Sequence, residues 1–177
     1  VNYPPADGDS DDPEEALRDA LDDELPAEPR YEPQVGETTA GRVGNALTHL
    51  LESEGEQTVA AVEPTAPFLR REHIGQAAMQ LRTSDVVLGP APGGRVAFAA
   101  FGEPIDFADA YAPPAVETLT DRATAAGLDV DFLPMTPLVE RPADLDTALP
   151  LLAARRAAGR LVPSRTAALA TDLADRF

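Results

Sequence analysis

Two short stretches hold the residue types with which a chain can grip a phosphate or a carboxylate: Glu63-Pro64-Thr65-Ala66-Pro67 and Gly89-Pro90-Ala91-Pro92-Gly93-Gly94-Arg95. In the second, Gly93 and Gly94 permit positive φ or close approach of a ligand to the backbone. The guanidinium fork of Arg95 can pair with either kind of anion. Each stretch follows a short apolar run, TVAAV at 58–62 and DVVLG at 85–89, of the unbroken kind that is buried in a parallel sheet. Open α/β sheets bind ligands outside the carboxyl ends of their strands, so topology places both stretches at one locus. Pro and Gly between two strands are also the ordinary chemistry of a turn.

Other residues invite a chemical reading and a plainer one. Asp106 and Asp109 in EPIDFADAY have helical spacing beside Phe107 and Tyr111, which also describes a capped helical turn with buried aromatics. His49 sits among Leu47, Leu50 and Leu51, and His73 follows Arg70 and Arg71. Neither has a partner at metal-ligand spacing and no Ser-His-Asp order stands out, so both are expected to be structural. Asp129 and Asp131 alternate with Val130 and Phe132, as in a strand with one wet face. Arg155, Arg156 and Arg160 form a small basic patch expected to pair with the acidic surface.

The elements that must carry these residues follow from pattern. Asp12-Pro13-Glu14-Glu15 supplies an N-cap, a proline at the first helical position and acids in the first turn, predicting a helix to about Asp23. RYEPQV at 30–35 is a strand weakened by Pro33, and a helix follows from Thr38 to Glu54 with Val43, Leu47, Leu50 and Leu51 on one face. Strand 58–62, helix 70–82 and strand 85–89 make a crossover unit that sets the two strands parallel. GRVAFAAF at 94–101 returns as a strand, FADAY forms a helical turn, and a helix at 115–126 is ended by Gly127. DVDFLPM gives a last strand, with Ala/Leu/Arg helices at 143–158 and 164–175. The sum is one three-layer α/β domain over 1–177 with a mixed sheet, closed by a C-terminal helix within 163–177. The opening Val1-Asn2-Tyr3-Pro4-Pro5, without Met, reads as the end of a strand, so an upstream segment is expected.

Composition sets the environment. The 177 residues suffice for one core that buries about 70% of the unfolded surface. Asp and Glu number 31 against 14 basic residues, a net charge of −17, which argues against nucleic-acid and anionic-membrane partners. All the basic residues are Arg, and with abundant Ala, Asp and Glu the composition resembles that of proteins from salt-in halophiles, acidic and hydrated in molar salt. The chain has 0 Cys, which excludes disulfides and thiolate chemistry, and no apolar run approaches a membrane span. A cytoplasmic location is the expectation.

Taken in order, TVAAVEPTAPFL, a helix, DVVLGPAPGG, a strand, ETLTDRATAAGLDVDFLP and LVERPADL resemble a glycosyltransferase-A-like group of uncharacterised proteins. These are the radical-SAM/selenodomain-associated transferase type, related to the phospholactate guanylyltransferases, and this chain looks like a divergent member of haloarchaeal type. The resemblance covers Tyr31 to about Arg160. It implies a nucleotide-diphospho-sugar transferase-like fold, α/β/α with a mixed, mostly parallel sheet, here short of its first strand.

In that family an Asp at a strand end helps hold a divalent metal on a nucleotide diphosphate, because Mg²⁺ and Mn²⁺ take hard oxygen ligands. Thr65 stands at that Asp here, and Phe68 at a second one. The family's next loop carries an acidic pair before its two glycines and an aromatic after them. This chain is one residue shorter there, lacks the acids and has Arg95 after the glycines. In LVERPADL, Leu138 replaces one family acid, Glu140 keeps another in kind, and Asp144 is expected as a helix cap.

By the resemblance, Thr65, Gly89, Pro90, Gly93, Gly94 and Arg95 would contact a nucleotide or nucleotide-sugar, and Asp106 and Asp109 would face the second substrate. Glu63 and Glu140 would serve as substitute ligands for Mg²⁺ or Mn²⁺, or are simply two of the many surface acids. The expected function is nucleotide or nucleotide-sugar binding in a divergent site, with metal-assisted nucleotidyl or glycosyl transfer. The alternative is a noncatalytic binding or assembly module that kept the fold and lost the metal site.

Overall fold

The computed structural model describes residues 2–3, 12–21 and 29–174. Helix α1, Pro13–Leu21, starts as the sequence predicts: the Asp12 carboxylate accepts from the Glu14 N–H at 3.0 Å. Its expected end near Asp23 lies outside the described residues. The Arg18 guanidinium lies 4.3 Å from the centre of the Tyr31 ring, fastening α1 to the following segment. There, β2 (Glu32–Pro33) pairs in parallel with β1 (Asn2–Tyr3) for two residues. The brevity fits Pro33, which has no N–H to continue a ladder.

The main sheet has the order β3-β5-β4-β6, with β3 Val59–Val62, β4 Val86–Ala91, β5 Arg95–Phe101 and β6 Val130–Phe132. β5 is antiparallel to both β3 and β4, and β6 is parallel to β4. Three of the four strands therefore share a direction and β5 runs against them. The expected crossover through α3 (Arg71–Gln80) does set β3 and β4 parallel, but β5 is inserted between them.

The buried runs of β4 and β5 are continuous because helices cover both faces, and alternate residues divide between two layers. Val86, Leu88, Ala99 and Phe101 meet α2 (Thr39–Thr48) and α4 (Ala115–Ala125) through Leu47, Leu119 and Ala123. On the other face Val87, Phe98 and Ala100 meet Ala77 of α3, with Leu133. Each fully buried Leu or Phe here contributes roughly 1.5–3 kcal/mol relative to exposure. Phe101 and Phe107 pack edge to face with centroids 4.9 Å apart, tying the loop after β5 to the sheet. Phe68, Ala148 and Leu152 form a separate apolar group that seats α5 (Leu145–Ala157), and α6 (Ser164–Ala174) follows.

The strands expected over 30–35 and 129–135 are shortened to Glu32–Pro33 and Val130–Phe132, and two further elements depart from the sequence reading. The helix expected over 38–54 ends as α2 at Thr48 and continues as one π-helical turn, His49–Ser53. The strand expected to stop at Gly89 runs on to Ala91, passing Pro90 through a β-bulge between Gly89 and Pro90. A bulge is where a strand tolerates a residue without an N–H.

Candidate functional site

Three segments converge at the carboxyl ends of β3 and β4. The first is the turn after β3, anchored by the Glu63 N–H donating to the Ala97 carbonyl at 3.0 Å. The second is the hairpin turn between β4 and β5. Gly93 and Gly94 have φ of 76° and 72°, which the left-handed region permits to glycine, and their turn delivers Arg95 to the first position of β5. The third is the segment after β6, held across the strand ends by Thr136 N–H to Pro90 O at 2.8 Å and Val139 N–H to Thr65 O at 2.9 Å. A 3₁₀ turn, Pro142–Asp144, then leads into α5.

Arg95 is the hub. It is 7% exposed, yet its guanidinium is satisfied. Nε donates to the Pro92 carbonyl at 2.8 Å, one terminal nitrogen donates to Glu140 at 2.8 Å and to Asp144 at 2.9 Å, and the other donates to Asp144 at 2.6 Å. Asp144 also accepts the backbone N–H groups of Glu140 and Arg141 at 2.9 and 3.0 Å. The Arg95 hydrogen bonds, followed by the Glu140 N–H, hold the Asp144 carboxyl below its ordinary range, and Asp144 in turn raises the Arg95 pKa. A guanidinium keeps its charge when buried, so its desolvation must be offset by such pairing. The Asp144 side chain makes no cap bond to α5; it faces back toward Arg95 and the turn.

The Thr65 hydroxyl lies between two acids, 3.3 Å from Glu63 and 3.2 Å from Glu140. Burial first, and the nearby charge of Glu140 second, push the Glu63 carboxyl above its ordinary pKa. In formal charge, Glu63, Glu140 and Asp144 bring three carboxylates against one guanidinium, Arg95, an excess of two acids in the cluster. Glu63, Thr65, Arg95 and Glu140 are thus brought into one network, together with Asp144.

The other expected residues fall elsewhere or have another reason to be there. A Cβ on Gly89 would stand 3.1 Å from the Phe98 Cβ, and one on Gly94 would stand 3.1 Å from the Pro114 Cβ, so both glycines answer to packing. Gly93 is exposed. Pro90 sits in the bulge. Asp106 and Asp109 are not at this locus. Their segment leaves β5 at Phe101, which pairs with Val59 and Val86, the first residues of β3 and β4. Asp106 accepts the Ala108 N–H at 3.1 Å, and Asp109, at φ 52°, accepts from the Thr38 hydroxyl at 3.4 Å. They border a cavity of about 380 Å³ with Gly41, Asn45 and Thr48 of α2.

His73 is structural as expected: its Nδ1 accepts the Arg70 N–H at 2.9 Å at the start of α3. His49 is not isolated. Its Nε2 lies 3.2 Å from Glu54, and Glu32 completes a group whose ligand atoms all fall within 4.8 Å of one another. Glu32, His49 and Glu54 could hold a metal ion. A spacing of five between His49 and Glu54 hides this in the sequence, because on an α-helix such residues point apart. The π-helical turn, closed by Glu54 N–H to His49 O at 3.1 Å, stacks them.

The mixed sheet between helical layers matches a nucleotide-diphospho-sugar transferase-like fold, and the polar cluster lies at the carboxyl ends of β3 and β4. The chain belongs to the family described as "Uncharacterized protein conserved in bacteria (DUF2064)", which it matches over residues 9–100. Among solved structures it is similar to a "putative nucleotide-diphospho-sugar transferase" from Desulfovibrio desulfuricans G20, with a TM-score of 0.64 and 20% identity. The match covers 84% of this chain and 63% of that one, so the chain spans less than two thirds of its structural relative. At that identity the likeness concerns the fold. No curated protein matches. No helix among the described residues is long and apolar enough to cross a membrane.

Proposed function

We propose that the chain binds a nucleotide or nucleotide-sugar against the carboxyl ends of β3 and β4, as a transferase-like domain with a rebuilt site. The carrying observation is the Glu63–Thr65–Glu140 arrangement braced by the pairing of the buried Arg95 with Asp144. Its excess of acids would repel a diphosphate by itself and suit a divalent cation that bridges to one. The donors present, two carboxylates and a hydroxyl, are hard oxygens that fit Mg²⁺ or Mn²⁺. Glu63 and Glu140 would hold the ion, which would neutralise the diphosphate as a nucleotidyl or glycosyl group is transferred. Asp144 and Arg95 act on Glu140 by position: both its backbone N–H and its carboxylate are tethered to the pair. The exposed Gly93 turn leaves backbone open beside that face.

A second reading, a binding or assembly module without transfer chemistry, draws on the packing of Gly89 against Phe98 and Gly94 against Pro114, which explains those glycines with no ligand. Thermal denaturation in molar KCl with GTP, UTP or UDP-glucose, with and without MnCl₂, separates the two. A ligand at about a hundred times its Kd stabilises by roughly 2.7 kcal/mol, a few degrees at this size. A Mn²⁺-dependent shift abolished by Glu140→Gln is the expected result. A shift that ignores Mn²⁺ favours a binding module, and no shift with any nucleotide overturns nucleotide binding and leaves a domain that has kept only the fold.

A further inference from the structure

We propose that Glu32, His49 and Glu54 form a separate site for a borderline transition-metal ion such as Zn²⁺, in which Arg30 holds the cation's place when the metal is absent. The three residues come from two local structures. Glu32 lies on β2, His49 opens the π-helical turn and Glu54 closes it, yet their ligand atoms lie within 4.8 Å of one another. One imidazole nitrogen with two carboxylates is a mixed N/O donor set. Zn²⁺, Co²⁺ and Ni²⁺ accept such a set, whereas Mg²⁺ and Ca²⁺ prefer oxygen alone. The class of ion therefore differs from that expected at Glu63 and Glu140, and this inference does not rest on the reading of that site.

Arg30 marks where a cation goes. Its two terminal nitrogens donate to the two Glu54 oxygens at 2.8 Å each, and one also pairs with Glu32. Thus the two carboxylates that would ligate a metal already share one positive group. That group is an exchangeable occupant, because its side chain is 67% exposed and exposed ion pairs contribute little. It also offers nothing to the His49 lone pair, which a metal ion would use. Three protein ligands leave a fourth position of a tetrahedral ion open. Beside His49 and Glu32 a cavity of about 240 Å³, bounded also by Val35, Asn45 and Ala46, has room for a water or a small ligand there.

The test uses the full chain, purified with EDTA and dialysed free of it. Titration with CoCl₂ should produce visible d–d absorption of a low-coordinate N/O site, and ZnCl₂ should bleach it by displacement. His49→Ala should weaken Zn²⁺ binding at least tenfold, while His73→Ala, which removes the other histidine, should leave it unchanged. Arg30→Gln should tighten binding, since it removes the competing cation and spares all three ligands; this variant decides the matter even if His49→Ala folds poorly. Glu140→Gln should have no effect, which separates this site from the nucleotide locus. Absence of cobalt absorption, equal Zn²⁺ affinity in His49→Ala, or unchanged or weaker affinity in Arg30→Gln would each overturn the proposal.

Discussion

The two histidines are defined by different neighbours, His73 by the Arg70 N–H at the start of α3 and His49 by Glu54 and Glu32. His73 accepts the Arg70 N–H through Nδ1, a bond that exists only while that nitrogen is unprotonated. Burial, and then the charge of Arg70, lower its pKa from the ordinary value. A depressed histidine pKa means that the unfolded chain takes up a proton more readily than the folded one. Stability is therefore fully present above the unfolded value, about 6.5, and falls as pH drops below it toward the folded pKa. Melting temperature should decline between about pH 7.5 and pH 5.5, and His73→Gln should remove part of that slope. Equal slopes in both proteins would mean that the cap does not control the start of α3. For His49 the contrast is geometric: the same residue type, five positions before a Glu, becomes part of a cluster only because the helix widens there.

At the level of elements, the hairpin between β4 and β5 joins packing to presentation. Gly93 and Gly94 share left-handed φ, so Ala at either should cost roughly 1–2 kcal/mol from backbone strain. Only Gly94 adds a clash, with the Pro114 Cβ at 3.1 Å and its Cα at 3.3 Å, while a Cβ on Gly93 would have nothing nearer than the Arg95 Nε at 4.0 Å. Gly94→Ala should therefore be the more destabilising in chemical denaturation, and the reverse order would remove the packing explanation. Strands β3 to β6 and helices α3 to α6 were legible because apolar runs and helical stripes are local signals. The insertion of β5 between β3 and β4 was not, since the crossover pattern sets direction without setting adjacency. The site was half legible. Loop position flagged Glu63, Thr65 and Arg95, and the family resemblance flagged Glu140. The Arg95–Asp144 pair, 49 residues apart in the chain, has no local signature. The resemblance points Asp106 and Asp109 at a second substrate; β5 runs backward, so their segment leaves the sheet beside Val59 and Val86, at the starts of β3 and β4.

For the molecule as a whole, charge sets the terms on which all these contacts operate. A net charge of −17 on 177 residues loads the folded surface with self-repulsion that unfolding relieves by expansion. The Debye length falls from about 10 Å at 0.1 M salt to about 3 Å at 1 M, so that repulsion is screened between most surface acids in molar KCl. The attractive pairs lie closer: Arg95 meets Glu140 and Asp144 within 2.9 Å and is buried, where screening is weak. Salt should then remove more repulsion than attraction. Raising KCl from about 0.1 M to 2 M is expected to raise the melting temperature steadily, with most of the gain below 1 M. A flat or falling curve would show that the acidic surface is already balanced by its arginines, and would end the comparison with salt-adapted proteins that the composition invites.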